Sequence, residues 1–146
     1  MRKLILAISV LALGSAAASA DPIGDRQALM KERGKLVGGL AKMVKGEQPF
    51  DADAVLAALK GLEANAEKFD AEALFPKGSE AGGDTTAAPK IWEDMAGFKA
   101  AEDKYLADVK AAVDAAPTDV DALKAQIGKI GPDCASCHQS YRIKKG

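Results

Sequence analysis

Apolar residues recur at helical spacing along residues 22–45. Leu29, Leu36 and Met43 fall seven apart, Met30, Val37 and Val44 run beside them, and Leu40 lies between. Repeats of three and four residues put such side chains on one face of a helix. Pro22 suits the first turn, and Gly46 with Pro49 marks the exit. Gly34, Gly38 and Gly39 interrupt the pattern, each at a cost of about 1 kcal/mol in helix propensity relative to alanine. Something must approach this helix closely enough to make the missing side chains useful.

A second helix is predicted after Asp51, a good N-cap, with Val55, Leu56, Leu59, Leu62, Ala66 and Phe69 on one side. Residues 74–90, "LFPKGSEAGGDTTAAPK", are rich in glycine, proline and small polar residues and read as a connection with no regular element. Long loops of this kind are uncommon in small domains and are often functional. A third helix is expected from near Pro89, carrying Ile91, Met95, Phe98, Tyr105, Val109 and Val113 up to "DAAPTD". Thr118, with Asp121 three residues on, can cap a fourth. That helix buries Val120, Leu123, Ile127, Ile130, Cys134, Cys137 and Tyr141.

Four amphipathic helices with two short connections and one long one predict an all-α fold, an antiparallel four-helix bundle, in a single domain. Composition agrees, since alanine, leucine and charged helix formers dominate and aromatics make up 5%. The first twenty residues differ. Arg2 and Lys3, the apolar run "LILAISVLAL" and the small residues of "SAAASA" form the pattern of a secretory signal cleaved after Ala20. The domain is then 21–146, exported to the periplasm. The apolar run is far below the roughly 20 residues of a membrane-spanning helix. Cleavage removes Arg2 and Lys3 from 20 basic residues set against 21 acidic ones, leaving a formal charge of −3. No nucleic-acid partner is expected at that charge.

The chemistry is concentrated in "CASCHQSYR", which holds both cysteines and the only histidine. Cys134, Cys137 and His138 fit C-x-x-C-H, the attachment pattern of c-type haem. Two thiols one helical turn apart can add to the two vinyl groups of a porphyrin edge, and the adjacent imidazole can reach the iron. A disulfide between them would close a very short loop with little entropic effect. A thioredoxin-like site needs a βαβ setting. A structural zinc site needs four ligands. One covalently bound haem c is therefore the expected cofactor, replacing much of the aromatic core that the sequence lacks, with the glycines admitting the porphyrin.

An exported four-helix chain with C-x-x-C-H near its end resembles the class II c-type cytochromes, the cytochrome c' family. "RQALM", "VKGEQPFDADAV", "LFPKGSEAGG", "APKIWEDMAGF" and "CASCHQSYRIKK" carry the likeness along the whole mature chain. The resemblance implies an up-down-up-down bundle, commonly a homodimer, with the histidine as iron ligand. In the family's low-spin branch a methionine of the first helix is the sixth ligand; in the high-spin branch an apolar residue there leaves the iron five-coordinate. The matching position here, four residues after Arg26, is Met30 in "RQALMKERG". By spacing alone Met30 is core filler; by the resemblance it is a ligand. Met43 and Met95 are read as core.

The resemblance further implies that Arg26 meets a haem propionate and that Arg142, four residues after His138 and on its helical face, lies near the proximal imidazole. Trp92 is read as packing, and the lysines of "RIKK" as helix-end charges or part of a docking surface. The reading is a carrier of single electrons between redox proteins, not an enzyme, with a nitric oxide- or carbon monoxide-binding haem protein as the alternative. A peroxidase would need a distal acid-base group, for which Glu32 and Arg33 lie off the Leu29/Met30 stripe.

Overall fold

A computed structural model describes residues 21–144; the expected signal, 1–20, lies outside the described residues. Among these the elements are α1 (Pro22–Val44), α2 (Ala52–Glu67), α3 (Ala71–Leu74), α4 (Lys90–Glu93), α5 (Met95–Ala115) and α6 (Val120–Tyr141). The four long helices close a ring in which α1 packs on α2, α2 on α5, α5 on α6 and α6 back on α1. This is the four-helix bundle expected from the spacing.

The caps explain the boundaries. Asp21 accepts from the Gly24 N–H at 2.9 Å, and Pro22 follows in the first turn, where its missing N–H costs nothing. Asp51 caps α2 through the Ala54 N–H, 3.0 Å. The fourth long helix corrects an expectation. Asp119, not Thr118, is its cap, accepting from the Ala122 N–H at 2.8 Å from an extended backbone. A second correction falls on the third. Asp94 leaves the helical region at φ −138°, ψ 56°, and its carboxylate caps a fresh start through the Gly97 N–H at 3.1 Å. The expected helix from Pro89 is thus the turn α4 followed by α5. The turn α3, capped by Asp70 through the Glu72 and Ala73 N–H groups, was also not foreseen.

Two apolar clusters fill the bundle. The larger joins Leu40, Leu59, Leu62, Val109, Leu123 and Ile130, all within 1% of full burial, each contributing about 1.5–3 kcal/mol of hydrophobic stabilisation. The smaller is aromatic. Phe75 meets Phe98 edge-on at 4.8 Å, Phe98 meets Tyr141 at 5.1 Å, and Phe69 and Trp92 complete the set. Five of the seven aromatics therefore gather at one end of the bundle, so the aromatic core is concentrated there and not simply missing. Met43 packs on the first cluster and Met95 on the second.

The connection 75–89 is held from two sides. Arg26 of α1 donates to Leu74, Ser79 and Thr85. The end of the chain lies against it, with the Ala88 N–H on the Tyr141 carbonyl at 3.0 Å and the Ile143 N–H on that of Thr86 at 2.8 Å. Among the described residues no helix is long and apolar enough to cross a membrane.

Candidate haem site

A cleft of about 750 Å³ opens between α1 and α6. From α1 come Met30, Gly34, Val37 and Gly38; from α6, Cys134, Cys137 and His138. Phe69, Phe75 and Phe98 face it from the aromatic end, and Asp84–Ala87 of the long connection form part of its rim. The helix spacing accounts for the grouping. Cys134 and Cys137 stand one turn apart on the inward stripe, the first packed on the aliphatic cluster and the second on the aromatic one. The cleft thus sits at the junction of the two clusters.

Gly34 and Gly38 line the cleft, and a Cβ built on either would meet nothing within 4 Å. Gly39, expected to serve in the same way, is not among the lining residues. A space bounded by glycine on one helix and by two thiols and an imidazole on the other fits a flat porphyrin. Its volume is in the usual range for ligand sites.

No disulfide joins Cys134 and Cys137. Burial raises both, Cys137 to about 11, and for Cys134 the Arg33 cation opposes the rise. Neither is shifted toward the thiolate, unlike activated redox cysteines. His138 is lowered by its partial burial, with the cations Arg142 and Arg33 adding to the effect. A neutral imidazole is the form that binds a metal.

Arg26 is 4% exposed. Its guanidinium donates to the Leu74 carbonyl (3.1 Å), Ser79 Oγ (3.0 Å), the Ser79 carbonyl (2.8 Å) and Thr85 Oγ1 (2.6 Å), and lies 4.7 Å from the Phe75 ring centre. It lines the cleft while anchoring the loop. Arg142 also lines it, but not as a continuation of the His138 face. The helix ends at Tyr141, and Arg142 is extended at φ −125°, ψ 133°, donating from Nε to Thr86 Oγ1 at 3.3 Å. Trp92 packs on Phe75 and donates its indole N–H to the Phe75 carbonyl at 3.0 Å.

The periodicity misplaced one residue. Arg33, set aside as off the stripe, is buried and lines the cleft. Its two terminal nitrogens grip Glu102 of α5 at 2.6 and 3.0 Å, Nε donates to Asn65 Oδ1 at 3.0 Å, and the guanidinium lies 4.1 Å from the Tyr105 ring centre. Asn65 in turn donates to the Leu29 carbonyl and to Glu32. The signal was present as the seven-residue spacing of Arg26, Arg33 and Leu40, the three buried positions of α1.

A helical bundle that opens a glycine-walled cleft onto C-x-x-C-H has the architecture of a c-type haem protein. The family model for cytochrome c' matches residues 21–142. A cytochrome c-556 of Agrobacterium fabrum is 42% identical over 127 residues, 87% of this chain and 84% of its own. A cytochrome c' of Rhodopseudomonas palustris is 41% identical over 144 residues, 97% and 94% of the two chains. The solved structure of cytochrome c' from Rhodopseudomonas palustris superposes with a TM-score of 0.81 at 40% identity, covering 88% of this chain and all of that one. The chain belongs to the cytochrome c' family, and its cofactor is haem c.

Proposed function

We propose that this chain is a periplasmic carrier of single electrons between redox proteins, using one haem joined to Cys134 and Cys137 and ligated by His138 and Met30. The observation that carries this is that Met30 of α1 and His138 of α6 line one cleft from two different helices, an arrangement suited to ligands on opposite faces of a flat ring. The haem supplies the reversible ferric/ferrous couple. Cys134 and Cys137 would hold it through thioether bonds, each S–H added across a vinyl group with sulfur on one carbon and hydrogen on the other. Met30 would hold the iron through its thioether, which would favour the ferrous state and keep other ligands out. Of the cations that line the cleft, Arg26, Lys31, Arg33 and Arg142, we assign Arg26 to a haem propionate and Arg142 to the proximal side.

A second reading, a five-coordinate haem that binds nitric oxide or carbon monoxide, is favoured by the cytochrome c' of Rhodopseudomonas palustris, nearly as similar as the cytochrome c-556 and over more of the chain. In that case Met30 is cleft-wall packing. Optical spectra of the holoprotein decide between them. Electron carriage with Met30 ligation requires a low-spin ferric spectrum with a near-infrared sulfur-to-iron band and little carbon monoxide binding. Met30→Leu should convert it to high-spin, with rapid ligand binding and a lower potential. A wild-type protein already high-spin at neutral pH overturns the ligation and moves the function to gas binding.

A further inference from the structure

The Arg33–Glu102 pair lies outside the set of residues that would anchor or ligate the haem. It is a bidentate ion pair whose side chains are 9% and 12% exposed, bridging α1 to α5 on the wall of the cleft. Buried ion pairs of this kind contribute little net stability against apolar replacements of similar volume. A charged pair facing a redox centre has another consequence, because in a low-dielectric interior charge acts with far less screening than in water. Arg33 and Glu102 line the same cleft as Cys134, Cys137 and His138, so both charges face the space assigned to the haem.

We propose that Arg33 and Glu102 together tune the reduction potential of the haem, the carboxylate offsetting a guanidinium that would otherwise favour the ferrous state. Reduction adds one negative charge to the centre, so an uncompensated neighbouring cation stabilises the reduced form. Glu102 holds the potential below what Arg33 alone would set. The supporting contacts fit this role. Asn65 fixes the Nε edge, Tyr105 lies against the guanidinium face, and both are fully buried, so the cation cannot swing away to solvent. On its far side Glu102 borders a smaller cavity with Asp70, Lys99 and Asp103, which are exposed and therefore screened. The proposal requires haem in the cleft but not Met30 as its ligand.

The test is the midpoint potential of the purified holoprotein, read beside its optical spectrum and helix content. Glu102→Gln, nearly isosteric, should raise the potential with no change of spin state, and the rise should persist at high salt. In the double variant Arg33→Gln, Glu102→Gln, where no net charge has been created, the potential should return toward the wild-type value. Glu67→Gln, which removes one negative charge from an exposed pair with Lys110, should give a smaller shift that salt abolishes. An unchanged or lowered potential in Glu102→Gln, a rise that survives in the double variant, or an equal shift in Glu67→Gln overturns the proposal. If Glu102→Gln does not accumulate as holoprotein, Arg33→Gln decides with the opposite sign, since the remaining carboxylate must lower the potential. These readouts hold whether the wild-type haem proves five- or six-coordinate, so failure here is distinct from failure of the Met30 assignment.

Discussion

Arg26 of α1 donates from Nη2 to the backbone carbonyl of Ser79, 53 residues further along, at 2.8 Å. With its other bonds to Leu74, Ser79 Oγ and Thr85, this makes one guanidinium the tie between the first helix and the long connection. The cation has Phe75 and Trp92 beneath it at 4.7 and 5.9 Å, and burial lowers its pKa against the pull of Asp21 and Glu80.

Replacing Arg26 by methionine leaves buried acceptors on Leu74 and Ser79 without a donor. Each such orphan costs about 1–3 kcal/mol, so a loss of roughly 2–4 kcal/mol is expected in denaturant unfolding, with new proteolytic cleavage confined to 75–89. Arg26→Lys should recover only part of it, because a point ammonium cannot reach acceptors spread across a planar fork. A variant as stable as wild type, with an uncut loop, would show that the tie is not needed.

Tyr105 is 2% exposed, and among the described residues its hydroxyl has no hydrogen-bond partner. Burial raises its pKa well above the usual phenol value, with Arg33 opposing. The folded state holds this proton more tightly than the unfolded chain, which titrates near 10. The associated stability is therefore full below about pH 10 and is lost as pH rises through the higher folded value. Tyr105→Phe keeps the ring under Arg33 and removes the orphaned hydroxyl. It should stabilise the protein by about 1 kcal/mol at pH 7 and flatten the alkaline fall in stability. Urea unfolding at pH 7 and pH 11 checks both parts; a destabilised variant would mean that the hydroxyl has a partner.

The bundle was legible because its long helices obey one period. Leu59, Leu62 and Ala66 on α2 and Tyr105 and Val109 on α5 are all buried where spacing put them. Breaks set by a single carboxylate were not. Asp94 splits one helix and Asp119 displaces Thr118 as a cap, and either outcome depends on a local backbone angle that tertiary packing selects. The motif Cys134, Cys137 and His138 stood out because so few other residues could compete with it. Arg33 did not, because hydrophobic periodicity has no place for an inward charge whose partners, Asn65 and Glu102, come 32 and 69 residues later. The extended placement of Arg142 was hidden for a related reason: its pairing with Thr86 and the bridge to Ala87 end the helix just before it, although the residue still lines the cleft.

The glycines of α1 separate helix propensity from the needs of the cofactor. Gly38 and Gly39 are neighbours in the same helix, and a Cβ on either would touch nothing within 4 Å, yet only Gly38 lines the cleft. Alanine at either position should add up to about 1 kcal/mol of helix propensity. At Gly39 that gain should appear in the holoprotein as a raised unfolding midpoint with an unchanged haem spectrum. At Gly38 the methyl group enters the space assigned to the porphyrin, so the gain should vanish or reverse, with a shifted Soret band. Gly34→Ala, one turn nearer Met30, should behave like Gly38→Ala. Equal stabilisation at all three positions, with unaltered spectra, would mean that the haem does not approach this face of α1 and that the cleft is filled from its α6 side alone.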